Sequence, residues 1–372
     1  MLQRALASRR MPHAYLFGGP DGVGKEMMAL GLAQTLLCSN PVHREPPSDL
    51  ALPAHGPQHF VDACGTCRDC LLAQASTHPD LILIHRQLNK QHPDAAIRKQ
   101  QALFLTVDVV RHFLVERAGM MPARGRARVF IVREAERMND AAQNSLLKTL
   151  EEPPKATFII LLTNAMDRML QTTRSRCQQV LFGSLPLDYI VSRLRELRPD
   201  ADEAHITYAA RRCSGSLGNA LRQIDDGLFE MKQAWGSRLI DLAQPPRGFA
   251  PHRLAEPFEA DAKTLGKLVQ ERDPEVSDTD AVREGLVILV AVLGDFYIDA
   301  LRRVTGPDLP PINADQPRVI EALTGLGLSG LNRALRELNQ ADTHLTRNAN
   351  LTLTLESLFI RLARAREATI LV

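Results

Sequence analysis

The chain has 372 residues, with 45 Lys and Arg against 43 Asp and Glu and a formal net charge of +2. At roughly 100–200 residues per domain, this length fits two or three domains with ample core. A composition 45% hydrophobic and 24% charged excludes wholesale disorder, and the near-neutral balance argues against gripping nucleic acid with the whole surface, leaving only a local basic patch open.

The N-terminal stretch Met1–Phe17 lacks the apolar run and small-residue cleavage site of a signal peptide. The longest apolar run, Leu286–Leu293, is too short to cross a bilayer. The expectation is a cytoplasmic chain with no membrane contact. In such a chain six cysteines read as metal ligands or free thiols rather than disulfides.

The first apolar run, Ala14–Phe17, leads into Gly18-Gly19-Pro20-Asp21-Gly22-Val23-Gly24-Lys25-Glu26 and then a helical stretch, Met27–Leu37. Strand, Gly-rich loop and helix are the context of a phosphate-binding loop: Gly19, Gly22 and Gly24 let backbone N–H groups turn inward, and Lys25 would meet the phosphates. A chance Gly-rich turn is the alternative. The next position should carry the Ser or Thr hydroxyl that ligates Mg²⁺, and it carries Glu26.

Cys64, Cys67 and Cys70 follow at x2 spacings on a turn-rich segment, with Cys38 upstream at the end of the first helix. Four thiolates suit a closed, structural, tetrahedral zinc site. An iron–sulfur site and unliganded thiols are the alternatives. The Pro- and His-rich stretch 39–63 reads as a loose excursion in which His43, His55 and His59 are solvated.

Leu81–Ile84, Val129–Val132, Phe158–Leu162 and Val180–Phe182 are further short apolar runs, separated by helical spacings such as Ala141–Leu150. The alternation predicts an α/β fold with a five-stranded parallel sheet covered on both faces. The run at 129–132 should end in an acidic metal ligand, but Arg133-Glu134 stands there. Arginine has no acceptor and cannot ligate a cation. Glu26 and Arg133 therefore either form an ion pair in place of magnesium or point to water at an abandoned site. Thr163 and Asn164 end the fourth run, as a structural cap or a γ-phosphate sensor. Ser175, Arg176 and Cys177 precede the fifth. Arg176 is either a solvated surface residue or an arginine offered to a neighbouring subunit.

Beyond the sheet, Pro186–Glu230 reads as a small helical lid, with helices over Ala201–Arg212 and Gly218–Glu230 and a buried apolar Cys213. Gln244–Arg247 and Pro251–Pro257 read as linker. Asp278–Arg303, Ser329–Asn339 and Asn350–Arg366 read as helices, with Arg361, Arg364 and Arg366 on a solvated face rather than a DNA patch.

Several strings together resemble the bacterial DNA polymerase III clamp-loader family within the AAA+ ATPases, and within it the delta-prime branch. They are His13–Phe17, the four-cysteine pattern, His78-Pro79-Asp80, the long string Asn144–Pro154, Ser175-Arg176-Cys177 and Gly215–Leu221, with a weaker echo at Arg347–Glu356. The similarity covers about residues 1–230. The resemblance implies an AAA+ P-loop core over 1–183 with a zinc module at about 38–79, a helical lid over 184–242, and a linker and all-α collar that joins subunits over 243–372.

The ATPase members of that family keep Thr at position 26, Asp at position 133 and an Arg where Gly218 stands here. Losing all three while keeping Ser175-Arg176-Cys177 resembles the branch that does not hydrolyse ATP but supplies Arg176 to an adjacent ATPase subunit. Met169-Leu170-Gln171 departs from the family by lacking its proline. The implied cofactor is structural zinc, with the magnesium site lost and nucleotide at Lys25 doubtful. The implied partners are tau/gamma-like ATPase subunits and a delta-like subunit, with the sliding clamp and primer–template DNA met through the complex. No intrinsic ATPase activity is expected, although the complex serves a DNA-directed DNA polymerase. An active clamp-loading ATPase and a zinc-knuckle nucleic-acid binder are the competing functions.

Overall fold

The apolar runs at the centre of the sheet become strands because they are buried on two faces. Phe17, Val129, Ile131, Ile160 and Leu162 pack on one side of the sheet, while Leu16, Phe130, Val132, Ile159 and Leu161 pack on the other. Side chains alternate across a strand, so a strand covered on both faces must be apolar throughout. Full burial of each such Leu, Ile, Val or Phe contributes about 1.5–3 kcal/mol.

The computed structural model describes residues 1–46, 58–124, 126–306, 310–347 and 349–365. The strands among them are β1 (Ala14–Gly18), β2 (Val42–Arg44), β3 (Phe60–Asp62), β4 (Leu81–Ile84), β5 (Arg128–Val132), β6 (Thr157–Thr163) and β7 (Gln178–Leu181). Five of them form one parallel sheet in the order β4-β5-β6-β1-β7, as the alternation predicts. The segments after β1 and β5, which lead to Glu26 and Arg133, therefore leave the carboxyl ends of the strands on either side of β6.

The last strand begins earlier than its predicted apolar run, at Gln178 rather than Val180. It is an edge strand with one free side, so polar residues are tolerated in it. The stretch 39–63 is less loose than expected: its two ends form an antiparallel pair, Val42 against Asp62 and Arg44 against Phe60. His43 and His59 are exposed there. His55, Asn348 and Arg366 lie outside the described residues.

The chain divides into two units, Met1–Ser184 and Leu185–Val372. The first holds the sheet. The second is helical among its described residues and has two apolar clusters. Ile190, Leu194, Ile206, Ala209 and the buried Cys213 form the smaller. Trp235, Phe258, Leu293, Phe296 and Phe359 belong to the larger. The helix predicted over Gly218–Glu230 is two helices, Leu217–Asp225 and Leu228–Ala243. Gly227, at φ 65°, breaks it, because the left-handed conformation cannot continue a right-handed helix. Pro257, read as linker, sits in the first turn of a helix, Ala255–Arg272. A first-turn N–H has no intrahelical acceptor, so proline costs nothing there. Arg361 lies on the surface and pairs with Glu337 at 3.0 Å.

Candidate functional site

The Gly-rich loop leaves β1 and ends at the helix Lys25–Leu37, with Gly24 at its N-cap. Gly19, Gly22 and Gly24 have φ of 152°, 71° and 99°. Gly19 also passes against the chain after β7, where a Cβ would lie 2.3 Å from the Phe182 carbonyl oxygen. Lys25 does not project outward. Its Nζ donates to the carbonyls of Gly19 and Pro20, each at 2.6 Å, and the residue is 9% exposed. Burial lowers its pKa, opposed by the charges of Asp21 and Glu136. The lysine thus fastens the loop to itself.

The structure brings Glu26 and Arg133 together: Arg133 Nη2 donates to Glu26 Oε1. The carboxylate belongs to the first turn of the loop's helix, where the positive end of the helix favours it. The arginine follows β5, its backbone N–H held by the Ile84 carbonyl at 2.9 Å. The next residue, Glu134, has φ 48°, rare for a side chain of its size. Arg86 and Arg137 hold its carboxylate at 3.1 and 2.9 Å. Arg137 lies only three residues on, but nothing in the sequence signals the part played by Arg86, 48 positions away. Thr163 acts as a cap, its buried hydroxyl accepting from the Ala165 N–H at 3.1 Å, while Asn164 is exposed. Gly218 lies in the first turn of Leu217–Asp225, within the second unit.

Cys38, Cys64, Cys67 and Cys70 converge, with all four sulfurs within 4.8 Å of one another. The Sγ separations are 3.6 Å for Cys38–Cys64, 3.9 Å for Cys38–Cys67 and 3.9 Å for Cys64–Cys70. A tetrahedron of thiolates at the zinc–sulfur distance has edges of about 3.8 Å. The pocket therefore fits one tetrahedral ion and is too tight for a multi-iron cluster. Gly65, at φ 75°, makes the turn between the first two ligands of the run, and Cys67 caps the helix Arg68–Gln74. Backbone N–H groups of Cys64, Cys67 and Cys70 donate to the sulfurs of Cys38, Cys64 and Cys67 at 3.3–3.4 Å. Burial pushes the Cys67 thiol up, but hydrogen bonds from Ser39 and the Cys70 backbone overcome it and bring its pKa to about 5. Beneath this module His78 and Asp80 are buried and structural. Asp80 accepts from the backbone N–H groups of Ala123 and Arg124 and pairs with Arg128 at 3.0 Å.

Arg176 follows the short helix Gln171–Arg174. Its Nε donates to Glu151 Oε1 at 2.7 Å and its Nη1 to the Thr172 carbonyl at 2.9 Å. Ser175 is exposed, with its hydroxyl donating to Thr172, and Cys177 is buried against the sheet. Burial raises the Cys177 pKa to about 12, so its thiol is protonated and inert. The partner Glu151 ends the helix Asp140–Glu151 and was visible in sequence only as part of the 144–154 string.

The sequence model of the family described as DNA polymerase III, delta subunit, matches residues 1–186. The chain is 34% identical over 210 residues to DNA polymerase III subunit delta' of Escherichia coli K12, covering 56% of this chain and 53% of that protein. It is 31% identical over 231 residues to the tau subunit of the same organism, covering 61% of this chain and 31% of that protein. The chain thus spans about half the length of the first relative and a third of the second. Among solved structures, a gamma-subunit-related DNA polymerase III protein from Thermotoga maritima aligns over 99% of both chains, with 18% identity and a TM-score of 0.42. With half of its length matched by the family model, the chain belongs to the DNA polymerase III delta subunit family.

Proposed function

We propose that the chain is a clamp-loader subunit of a bacterial DNA polymerase III holoenzyme that does not itself hydrolyse ATP and supplies Arg176 to a neighbouring ATPase subunit. The observation that carries this reading is the Glu26–Arg133 pair. It occupies the two positions at which a P-loop protein holds Mg²⁺, and a guanidinium cannot take the ion's place as a Lewis acid. Two further contacts agree with it. Lys25 spends its charge on the loop's own carbonyls. Glu134, the carboxylate next to the missing acidic ligand, is held by two arginines and is not free to orient water.

The partners under this reading are tau/gamma-like ATPase subunits and a delta-like subunit, with the sliding clamp and primer–template DNA engaged through the assembly. The four cysteines would hold zinc. Full thiolate ligation leaves no open position, so the ion would brace the fold rather than act on a substrate. Within the second unit the smaller apolar cluster would serve as the lid and the larger as a collar; because Leu228, Trp235, Leu239 and Leu242 pack in the larger cluster, the lid under this reading would stop before residue 228 rather than at 242.

Two measurements test the reading. The purified chain should show no ATP turnover above background, with or without primed DNA; turnover would make it an active loader ATPase. In a complex reconstituted with its organism's ATPase subunits, Arg176→Ala should lower DNA-stimulated hydrolysis. Arginine fingers contribute about 10³–10⁵ in well-studied GTPases. An undiminished rate would remove the role.

A further inference from the structure

An arginine offered to another subunit has to arrive oriented. A free arginine side chain samples many rotamers, and ordering it during the reaction costs entropy that a preset orientation avoids. Arg176 is preset in this chain. Its Nε and Nη2 both engage Glu151 Oε1, and Nη1 donates to the Thr172 carbonyl. Nη2 has a second N–H for an incoming oxygen.

The carboxylate that does this sits in an unfavourable place. Glu151 is the last residue of the helix Asp140–Glu151, where the negative end of the helix disfavours an anion, and Glu152 adds another charge. The guanidinium offsets that repulsion. The helix end is itself anchored, since the His13 ring donates through Nε2 to the Leu150 carbonyl at 2.7 Å. The same helix meets the arginine's segment a second time, where Gln143 accepts from the Leu170 N–H at 2.9 Å.

We propose that Glu151 is a positioning residue for Arg176, its carboxylate holding the guanidinium in the orientation from which it meets the γ-phosphate of ATP on the adjacent subunit. This rests on the reading of Arg176 as an arginine supplied in trans. In this role Glu151 holds the arginine and not the nucleotide. It acts on the rate only through the arginine.

The test is a double-mutant cycle in the reconstituted complex, with ATP and primed DNA, using Arg176→Ala, Glu151→Ala, Glu151→Gln and the double variant Glu151→Ala with Arg176→Ala. Thermal unfolding of each variant chain alone reports whether it folds. Glu151→Ala should lower kcat about tenfold, since misplacing a catalytic group by an ångström can cost up to ~100-fold. KM for ATP should stay unchanged. Glu151→Gln, whose amide oxygen keeps the acceptor but not the charge, should fall between wild type and Glu151→Ala. The double variant should be no slower than Arg176→Ala. If Arg176→Ala slows hydrolysis while Glu151→Ala does not, the positioning role is wrong and the arginine's role stands. A double variant slower than Arg176→Ala means that Glu151 acts by another route. Full activity of Arg176→Ala overturns both.

Discussion

Glu26 and Arg133 stand 107 positions apart in sequence and pair across β6 at the carboxyl ends of the strands. Their side chains are 41% and 38% exposed, so solvent screens the attraction. Exposed pairs of this kind contribute about 0–1 kcal/mol. Arg133→Met should therefore leave stability in urea within ~1 kcal/mol of wild type. A loss several times larger would show that the pair holds the fold as well as filling the site.

The loop's glycines separate steric contact from backbone strain. Gly24 has φ 99° with open space around it, the nearest atom to a Cβ being 3.7 Å away on a flexible methionine. Gly24→Ala should cost about 1–3 kcal/mol, the usual range for a strained backbone. Gly19→Ala adds a 2.3 Å collision with the Phe182 backbone and should cost more. Thermal unfolding of the two variants gives the order, and equal losses would show that the chain near Phe182 yields readily.

Removing the metal should loosen the cysteine module and spare the sheet. Chelation should release one zinc per chain, detected with a colorimetric dye. Amide protons of 60–74 should then exchange faster, while those of β1, β5 and β6 keep their protection. Global unfolding at stoichiometric chelator would assign the ion a larger share of stability.

In the second unit Lys232 is fully buried, pairs with Asp315 and lies 4.6 Å from the ring centres of both Tyr208 and Phe229. Asp315→Asn leaves that charge without its partner and should cost about 3 kcal/mol at neutral pH. Burial lowers the Lys232 pKa below its unfolded value, with Asp315 opposing. Between the folded and unfolded values the unfolded chain binds more protons, so stability rises with pH across that window. Asp315→Asn lowers the folded value further, so its destabilisation should shrink in alkaline buffer. Urea unfolding at neutral and alkaline pH checks both the size and the trend.

The features readable from sequence were those set by near neighbours. β1, β5 and β6 appear as apolar runs because both faces of a central strand are covered, and the edge strand β4 because Leu81 and Ile84 pack into opposite sides of the sheet. The four cysteines appear because short spacings and a glycine turn bring their thiols together. Gly227 was passed over because apolar spacing continues on both sides of it, and only its left-handed φ stops the helix. Pro257 was read as a breaker because its place in a first turn depends on where the helix begins. The capture of Glu134 by Arg86 and of Arg176 by Glu151 left no local pattern, because each joins segments far apart in sequence. The capture of Lys25 by the Gly19 and Pro20 carbonyls is local, but it depends on the turn of the loop's backbone.

The cysteine arrangement also bears on how the chain tolerates change in length. Cys38 and Cys64 are 26 positions apart, yet their sulfurs lie 3.6 Å from one another. The β2–β3 pair inside this segment likewise holds Arg44 against Phe60, so the ends of the stretch between those strands are fixed. Closing a longer loop between fixed ends costs little, about 0.6 kcal/mol for each doubling of its length. An affinity tag or a fluorescent label added between β2 and β3 should therefore leave the loop at Lys25 and the arginine at 176 undisturbed.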